Sequence, residues 1–323
     1  MGIAAIIGCG LIGQGWAIVF ARAGWSVRMY DSDPAKAGEG RMLVARQLRT
    51  LRDHGLSGDP DAILARVALA DTLETALAGV DYVQENSPED LAVKQALFAQ
   101  LDALAPATAI LASSTSSIRA SLFSREVPGQ ARCLVAHPVN PPYLVPVVEV
   151  CGAPWTAPET IAHCVAIMRE VGQKPVVVRR EIEGFILNRL QGALLQEALR
   201  LAEAGYASVE DIDATVKDGL GLRWAFMGPF ETIDLNAPGG IADYCARYNG
   251  MYRSIGASQT GEPAWQGPAV QDLEAQRRER LPAADLHARR FWRDERLMQL
   301  LRHKQEAERK EGEERKECKE RGA

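Results

Sequence analysis

The first half of the chain alternates short aliphatic runs with longer segments whose apolar residues recur at helical spacing, the pattern of a parallel sheet covered by helices. Residues 3–7 and 26–30 read as strands, with an apolar helix between them over 12–23. A long polar helix follows over 35–54 and is broken by the stretch from Gly55 to Pro60. Further strands fall at 82–84, 110–112, 133–136, 147–150 and 176–178, and helices at 90–104 and 158–171, the latter stopped by Gly172. Beyond Arg179 the strand signals cease. Residues 182–204 keep helical periodicity up to Gly205, and Ser208 reads as an N-cap with Glu210 and Asp211 in the first turn.

This change of character places a domain boundary near Arg180. The pattern predicts an α/β domain over 1–180, an all-helical C-terminal domain over 181–301, and a charged tail over 302–323. A chain of 323 residues is long enough for two cores. The tail is almost entirely Lys, Arg and Glu with nearly cancelling signs, so a solvated, fraying helix or a disordered segment is expected there. A net charge of −5, with no one-sided basic region, argues against nucleic acid as a partner. The aliphatic runs are too short to span a bilayer, and the N-terminal apolar residues run into a glycine motif rather than a signal-peptide pattern. The expected setting is therefore the cytoplasm, with no membrane partner. Cys9, Cys133, Cys151, Cys164, Cys245 and Cys318 show no CxxC or Cys/His metal spacing, so they are expected as reduced structural thiols with no metal site.

The glycine motif is Gly8-Cys9-Gly10-Leu11-Ile12-Gly13, between the first strand and the first helix. In a GxGxxG at this position, Gly8 permits the tight turn, Gly10 lets backbone approach a pyrophosphate, and Gly13 lets helix pack close to strand. The helix N-terminus then offers free N–H groups and a positive dipole end to phosphates. Asp31 closes the second strand, where a carboxylate accepts both adenosine ribose hydroxyls, and no arginine follows it to receive a 2′-phosphate. The first domain is thus expected to be of Rossmann type, with a mostly parallel sheet, and to bind NAD.

Oxidising an alcohol by hydride transfer needs a base for the hydroxyl proton, and the side chain suited to neutral pH is histidine. Of His54, His137, His163, His287 and His303, three sit on polar or helical surfaces and His287 precedes a basic cluster. His137 is distinguished by its place: it ends the strand Leu134-Val135-Ala136 and enters the turn Pro138-Val139-Asn140-Pro141-Pro142. Ligands bind at such strand ends in open α/β sheets. The next strand carries Glu149 among valines, an acid that needs a partner in apolar surroundings. The pair reads equally as a catalytic dyad or as a buried staple between two strands.

The GCGLIG turn, the run Ser113-Ser114-Thr115-Ser116-Ser117, the segment Gln84 to Asp90, AHPVNPPYLVPVVEV, GFILNRLQ, GLGLRWAFMGPFET and HARRFWRDERLMQL together resemble the 3-hydroxyacyl-CoA dehydrogenase superfamily, and within it the lambda-crystallin branch. The resemblance implies an NAD-dependent dehydrogenase acting on the 3-hydroxyl of a free 3-hydroxy acid such as L-gulonate. It implies His137 and Glu149 as the catalytic dyad, with Ser116 and Asn188 holding the substrate oxygen. On the cofactor side it implies Leu11 and Ile12 in the glycine turn, Asp31 on the ribose, Glu89 and Lys94 nearby, and Asn140 beside the nicotinamide. The GFY-type motif of acyl-CoA members is absent, and Gln47 to His54 is only moderately basic where those members carry lysine. Arg223, in Gly221-Leu222-Arg223-Trp224, is instead read as the group that binds a free carboxylate, alongside the cluster Arg289, Arg290 and Arg293. The alternatives are a 3-hydroxyacyl-CoA or 3-hydroxybutyryl-CoA dehydrogenase, a carnitine dehydrogenase with Trp224, Phe226 and Tyr143 as an aromatic box, and a crystallin-like or NAD-binding structural protein. Apolar helical faces in the second half, with the family likeness, point to a homodimer.

Overall fold

The computed structural model describes residues 1–321, with side chains through 314. One eight-stranded sheet is built from β1 (Ile3–Ile7), β2 (Ser26–Tyr30), β3 (Val67–Leu69), β4 (Tyr82–Glu85), β5 (Ile110–Ser113), β6 (Cys133–Pro138), β7 (Val147–Gly152) and β8 (Lys174–Val177). Its order is β3-β2-β1-β4-β5-β6-β7-β8. All neighbours are parallel except β6 and β7, which a short proline-rich loop joins as an antiparallel pair. Because β1 lies between β2 and β4, the chain reverses direction across the sheet there, and the glycine turn leaves β1 at this switch point.

Successive residues of a strand face opposite sides, and β1 divides its side chains between two cores accordingly. Ala4 and Ile6 join Trp16, Phe20, Met29, Leu48 and Met168 on one face. Ala5 and Ile7 join Leu77, Phe98, Leu101, Phe123 and Val135 on the other. The covering helices are α1 (Leu11–Arg22), α2 (Pro34–Asp53), α3 (Pro60–Leu64), α4 (Leu73–Leu77), α5 (Leu91–Leu104), α6 (Ala120–Phe123) and α7 (Pro158–Glu170). Side-chain caps start α2 and α5: Asp33 accepts from the Ala35 N–H and Asp90 from the Val93 N–H. The three-residue β3 and the short α3, α4 and α6 were not expected from the pattern, since they are too brief to show a period.

Further along, α8 (Leu187–Glu203), α9 (Val209–Ala214), a π-helical stretch Thr215–Leu220, α10 (Gly221–Trp224), α11 (Pro229–Leu235), α12 (Gly240–Ser258), α13 (Pro268–Arg280) and α14 (Leu286–Arg321) complete the chain. Two compact units result: Met1–Asn188 with Arg290–Ala323, and Arg189–Arg289. The division thus falls at Asn188 rather than near Arg180, and the chain from Arg290 returns to the first unit. The return has a physical cause. Met298 is 1% exposed in the first core, Leu297 and Leu301 pack against it, and the Arg46 guanidinium lies 5.0 Å from the Phe291 ring centre.

One expectation about helices changes. Residues 182–186 form a turn, not the start of a helix, with Gly184 and Phe185 at positive φ (73° and 49°) and Phe185 fully buried. That burial holds the non-glycine residue in a left-handed conformation that costs about 1 kcal/mol. The segment from 302, expected as a solvated, fraying helix or a disordered stretch, is helical as far as Arg321, with the i,i+4 pairs Arg302–Glu306 and Arg309–Glu313 along it. Cys318 and the final residues of the predicted tail lie outside the side chains or residues described. Among the described residues no helix is long and apolar enough to cross a membrane.

Candidate active site

At the end of β1, Gly8 has φ +92° and a Cβ there would stand 2.8 Å from the Asn86 carbonyl oxygen. A Cβ on Gly13 would sit 1.9 Å from the Gly8 oxygen, so the first turn of α1 closes against β1 only with glycine. Gly10 is different: its Cβ direction meets nothing within 4 Å. Gly10 is also the N-cap of α1 and supplies no side-chain cap, and Leu11 beside it is exposed. Backbone N–H groups at Leu11 and Ile12 therefore face an open cradle at a helix N-terminus, a fit for a pyrophosphate. Asp31 stands across the turn from them, accepting the Cys9 N–H at 2.9 Å and the Asp33 N–H at 3.1 Å. These contacts fix the carboxylate at the strand end where a dinucleotide ribose binds in such folds.

The antiparallel register sets His137 directly opposite Glu149. His137 is 7% exposed and Glu149 2%, and His137 Nδ1 lies 2.9 Å from Glu149 Oε2. The other carboxylate oxygen, Oε1, accepts the N–H groups of Ile186 and Leu187 at 2.8 and 2.9 Å, at the start of α8. Burial by itself pulls the Glu149 carboxyl upward. The hydrogen bond with His137 and those from Leu187 and Ile186 outweigh burial and hold it below the usual carboxylate range. An anionic Glu149 can only accept, so a neutral His137 donates from Nδ1 and leaves Nε2 with its lone pair. Phe185 packs with its ring centre 5.7 Å from that of the imidazole.

Ser116 and Asn188 meet in this same unit: the Asn188 side-chain amide donates to the Ser116 carbonyl at 2.9 Å. Asn188 is the second residue of α8, so Glu149 holds the helix end that carries it. Glu89 also comes to this turn. One of its oxygens accepts from Thr115 Oγ1, the Ser116 N–H and the Ser117 N–H and Oγ. Burial raises the Glu89 carboxyl, but these hydrogen bonds and the Lys94 charge win, and it is lowered overall. Lys94 turns inward, 1% exposed, and bonds both oxygens of the buried Glu85 at 3.0 and 3.1 Å. Asn140 is exposed just past β6. Arg223 belongs to the second unit, exposed on α10, with its charge felt at Tyr244.

Glu85, fully buried and paired with Lys94, is a charged residue that the sequence pattern does not single out. An acid at an apolar strand end, followed nine residues on by a lysine in a helical first turn, was the available signal. Tyr143, considered for an aromatic box, is a core residue of the first unit. Cys9, Cys133, Cys151 and Cys164 are buried free thiols, each pushed up to about 12 by burial first, and Cys245 is exposed and free.

Residues 3–182 match the model of the 3-hydroxyacyl-CoA dehydrogenase NAD-binding domain, and residues 184–277 that of its C-terminal domain. The chain is 39% identical to rabbit (Oryctolagus cuniculus) lambda-crystallin over 306 residues, covering 93% of this chain and 96% of that protein. It is 41% identical to L-carnitine dehydrogenase of Streptomyces griseus over 239 residues, 74% of this chain and 71% of that one. Among solved structures it resembles an NAD⁺-dependent dismutase, 5-formyl-3-hydroxy-2-methylpyridine 4-carboxylic acid 5-dehydrogenase, with TM-score 0.79 and 28% identity over 95% of this chain and 99% of that chain. It also resembles 3-hydroxybutyryl-CoA dehydrogenase of Escherichia coli K12, with TM-score 0.65 and 31% identity over 78% of this chain and 53% of that chain. With the glycine cradle, the histidine–glutamate pair and both family domains present, the chain belongs to the 3-hydroxyacyl-CoA dehydrogenase family and is an NAD-dependent oxidoreductase acting on CH–OH groups.

Proposed function

We propose that this dehydrogenase oxidises the 3-hydroxyl of a free, L-gulonate-like 3-hydroxy acid, with His137 as general base. The observation that carries the reading is the Nδ1–Glu149 hydrogen bond at 2.9 Å, which leaves His137 Nε2 free to accept the hydroxyl proton. Glu149 fixes the tautomer and stabilises the imidazolium once that proton arrives. The Ser116 hydroxyl and the Asn188 amide orient the reacting oxygen and stabilise charge as it develops. Gly8, Gly10, Leu11, Ile12, Gly13 and Asp31 hold NAD⁺, which accepts the hydride, and Asn140 lies on its nicotinamide side. Arg223 reads the substrate carboxylate through a two-pronged guanidinium contact.

The choice of a free acid follows the likeness to lambda-crystallin along nearly its whole length and the want of a GFY-type motif or a lysine-rich CoA patch. The same reading makes the protein a cytoplasmic homodimer. Its buried free thiols and the bare apolar faces of the second unit support it. The test is NADH formation measured in parallel with L-gulonate, L-carnitine, 3-hydroxybutyrate and 3-hydroxybutyryl-CoA. L-Gulonate is expected to give the highest kcat/KM, and Arg223→Met to raise its KM at least tenfold. Preference for the CoA ester or for carnitine would overturn the substrate assignment. No turnover with any of them, with NAD⁺ bound tightly, would favour a bulk structural protein.

A further inference from the structure

In the run Ser113 to Ser117 the hydroxyls of Ser113, Thr115, Ser116 and Ser117 donate to carboxylates, and that of Ser114 does not. Ser114 Oγ accepts the Trp16 indole N–H at 3.0 Å and the Gln84 amide at 2.7 Å, and donates to Asn86 Oδ1 at 2.7 Å. A hydroxyl has one proton and two lone pairs, and here all three are engaged. Each partner is tied to a different part of the site. Trp16, fully buried, belongs to α1, whose N-terminus forms the glycine cradle. Asn86 Nδ2 donates to the carbonyls of Ile7 and Gln84 at 3.2 and 2.9 Å, and so braces the residue that leads into Gly8. Gln84 Nε2 also donates to the Ala136 carbonyl at 3.2 Å, next to His137, and Gln84 Oε1 accepts the buried Tyr82 hydroxyl at 2.6 Å.

We propose that Ser114 is a positioning residue whose hydroxyl locks the glycine turn, the Ser116 turn and the strand end bearing His137 into one frame. Two of its neighbours are N–H donors, so its proton goes to Asn86 Oδ1. That direction fixes which end of the Asn86 amide meets the Ile7 carbonyl, and Tyr82 and Ala136 fix the Gln84 amide in the same way. The three segments cannot shift separately without stranding a buried donor, and such networks act as a unit. Hydride transfer needs cofactor, substrate oxygen and base in register, and a displacement near 1 Å costs on the order of a hundredfold in rate. Ser114 is uncharged, with its hydroxyl committed to protein groups, so its removal acts through placement and not through lost contact with a ligand.

This rests on the roles given to His137 and Ser116 under the proposed function, so the test has a readout that needs no substrate. In Ser114→Ala, the NMR signal of the Trp16 indole N–H, assigned with Trp16→Phe, should move upfield as its acceptor is lost. The amide signals of Gly8 and Ser116 and the ring nitrogens of His137 should move with it. A change confined to the Trp16 indole would overturn the frame. With an active substrate, kcat of Ser114→Ala should drop at least tenfold, while KM for the acid and the NAD⁺ Kd stay within about threefold. Ser114→Cys, of similar size and with a weak donor and acceptor, should fall between it and the parent. A lowered Tm with the parent's kcat would make Ser114 a stabilising contact alone and overturn the proposal. Gln84→Met should also slow turnover, and combining it with Ser114→Ala should add little further loss, since both break one network. Losses that multiply would count against it. A parent chain inert towards every acid in the panel would defeat the functional reading, while the NMR shifts would still decide the frame.

Discussion

Helices α1 and α12 show how differently the two units are built. α1 has twelve residues and buries eight of them, from Gly13 to Ala21, under the sheet. α12 has nineteen residues and buries none, and Tyr248, Met251, Tyr252 and Ile255 lie exposed along one side of it. Each fully buried aliphatic or aromatic side chain contributes about 1.5–3 kcal/mol, so the first unit supplies its own core. The second unit, with Trp224, Phe226, Phe230 and Leu235 also exposed, carries apolar area of the kind that marks an interface. The residues proposed for the chemistry, His137, Glu149, Ser116 and Asn188, lie in the self-sufficient unit, where hydrogen bonds fix them.

Substitutions in the first unit should break chemistry and leave assembly alone. The largest effect is expected from His137→Gln, with kcat lowered about a thousandfold, within the range lost when a general base is removed. The NAD⁺ Kd and the solution mass should not change. Glu149→Gln should lower kcat about a hundredfold and destabilise the fold by about 2 kcal/mol, because a charged acceptor of two helix N–H groups is lost. Its pH signature has a definite sign. The Glu149 carboxyl is depressed in the folded state, so its contribution is full above the unfolded value of about 4.3 and is lost as pH falls through the lower folded value. Urea midpoints at pH 7 and pH 3 should therefore differ more for the parent than for Glu149→Gln. Equal differences would remove this role.

The glycine turn offers a sharper contrast within the first unit. Gly13→Ala drives a methyl group into the Gly8 carbonyl and should lower Tm by several degrees. Gly10→Ala meets no protein atom and should leave Tm within a degree, yet weaken NAD⁺ at least tenfold by filling the cradle. Tight NAD⁺ binding by Gly10→Ala would move the cofactor elsewhere. The smallest catalytic effect is expected in the second unit: Met251→Asp should convert a dimer into a monomer by light scattering at micromolar protein, with under a tenfold loss of activity. A monomeric parent under the same conditions would end the dimer reading.

Much of this was legible in the sequence where a motif fixes its own geometry. The GxGxxG between strand and helix, the acid ending β2, and a histidine at a strand tip each specify a place as well as a residue. What was hidden depends on contacts between distant segments. The turn at 182–186 looked helical because its apolar residues are spaced as in a helix, but Phe185 is drawn into the core and Glu149, from another strand, takes the helix N–H groups. Glu85 follows the strand predicted over 82–84, and nothing local shows that Lys94 folds back over it. The return of Met298 to the first core leaves no local signal, since a helical stripe does not say which core it covers.

At the centre of this account is an imidazole whose Nδ1 is committed to Glu149. Nitrogen-15 NMR of histidine-labelled protein, with His137→Gln to assign the signal, reads the tautomer directly. Neutral His137 is expected to carry its proton on Nδ1 and none on Nε2. A neutral His137 protonated on Nε2 would contradict it, because that nitrogen could then accept nothing from a substrate hydroxyl.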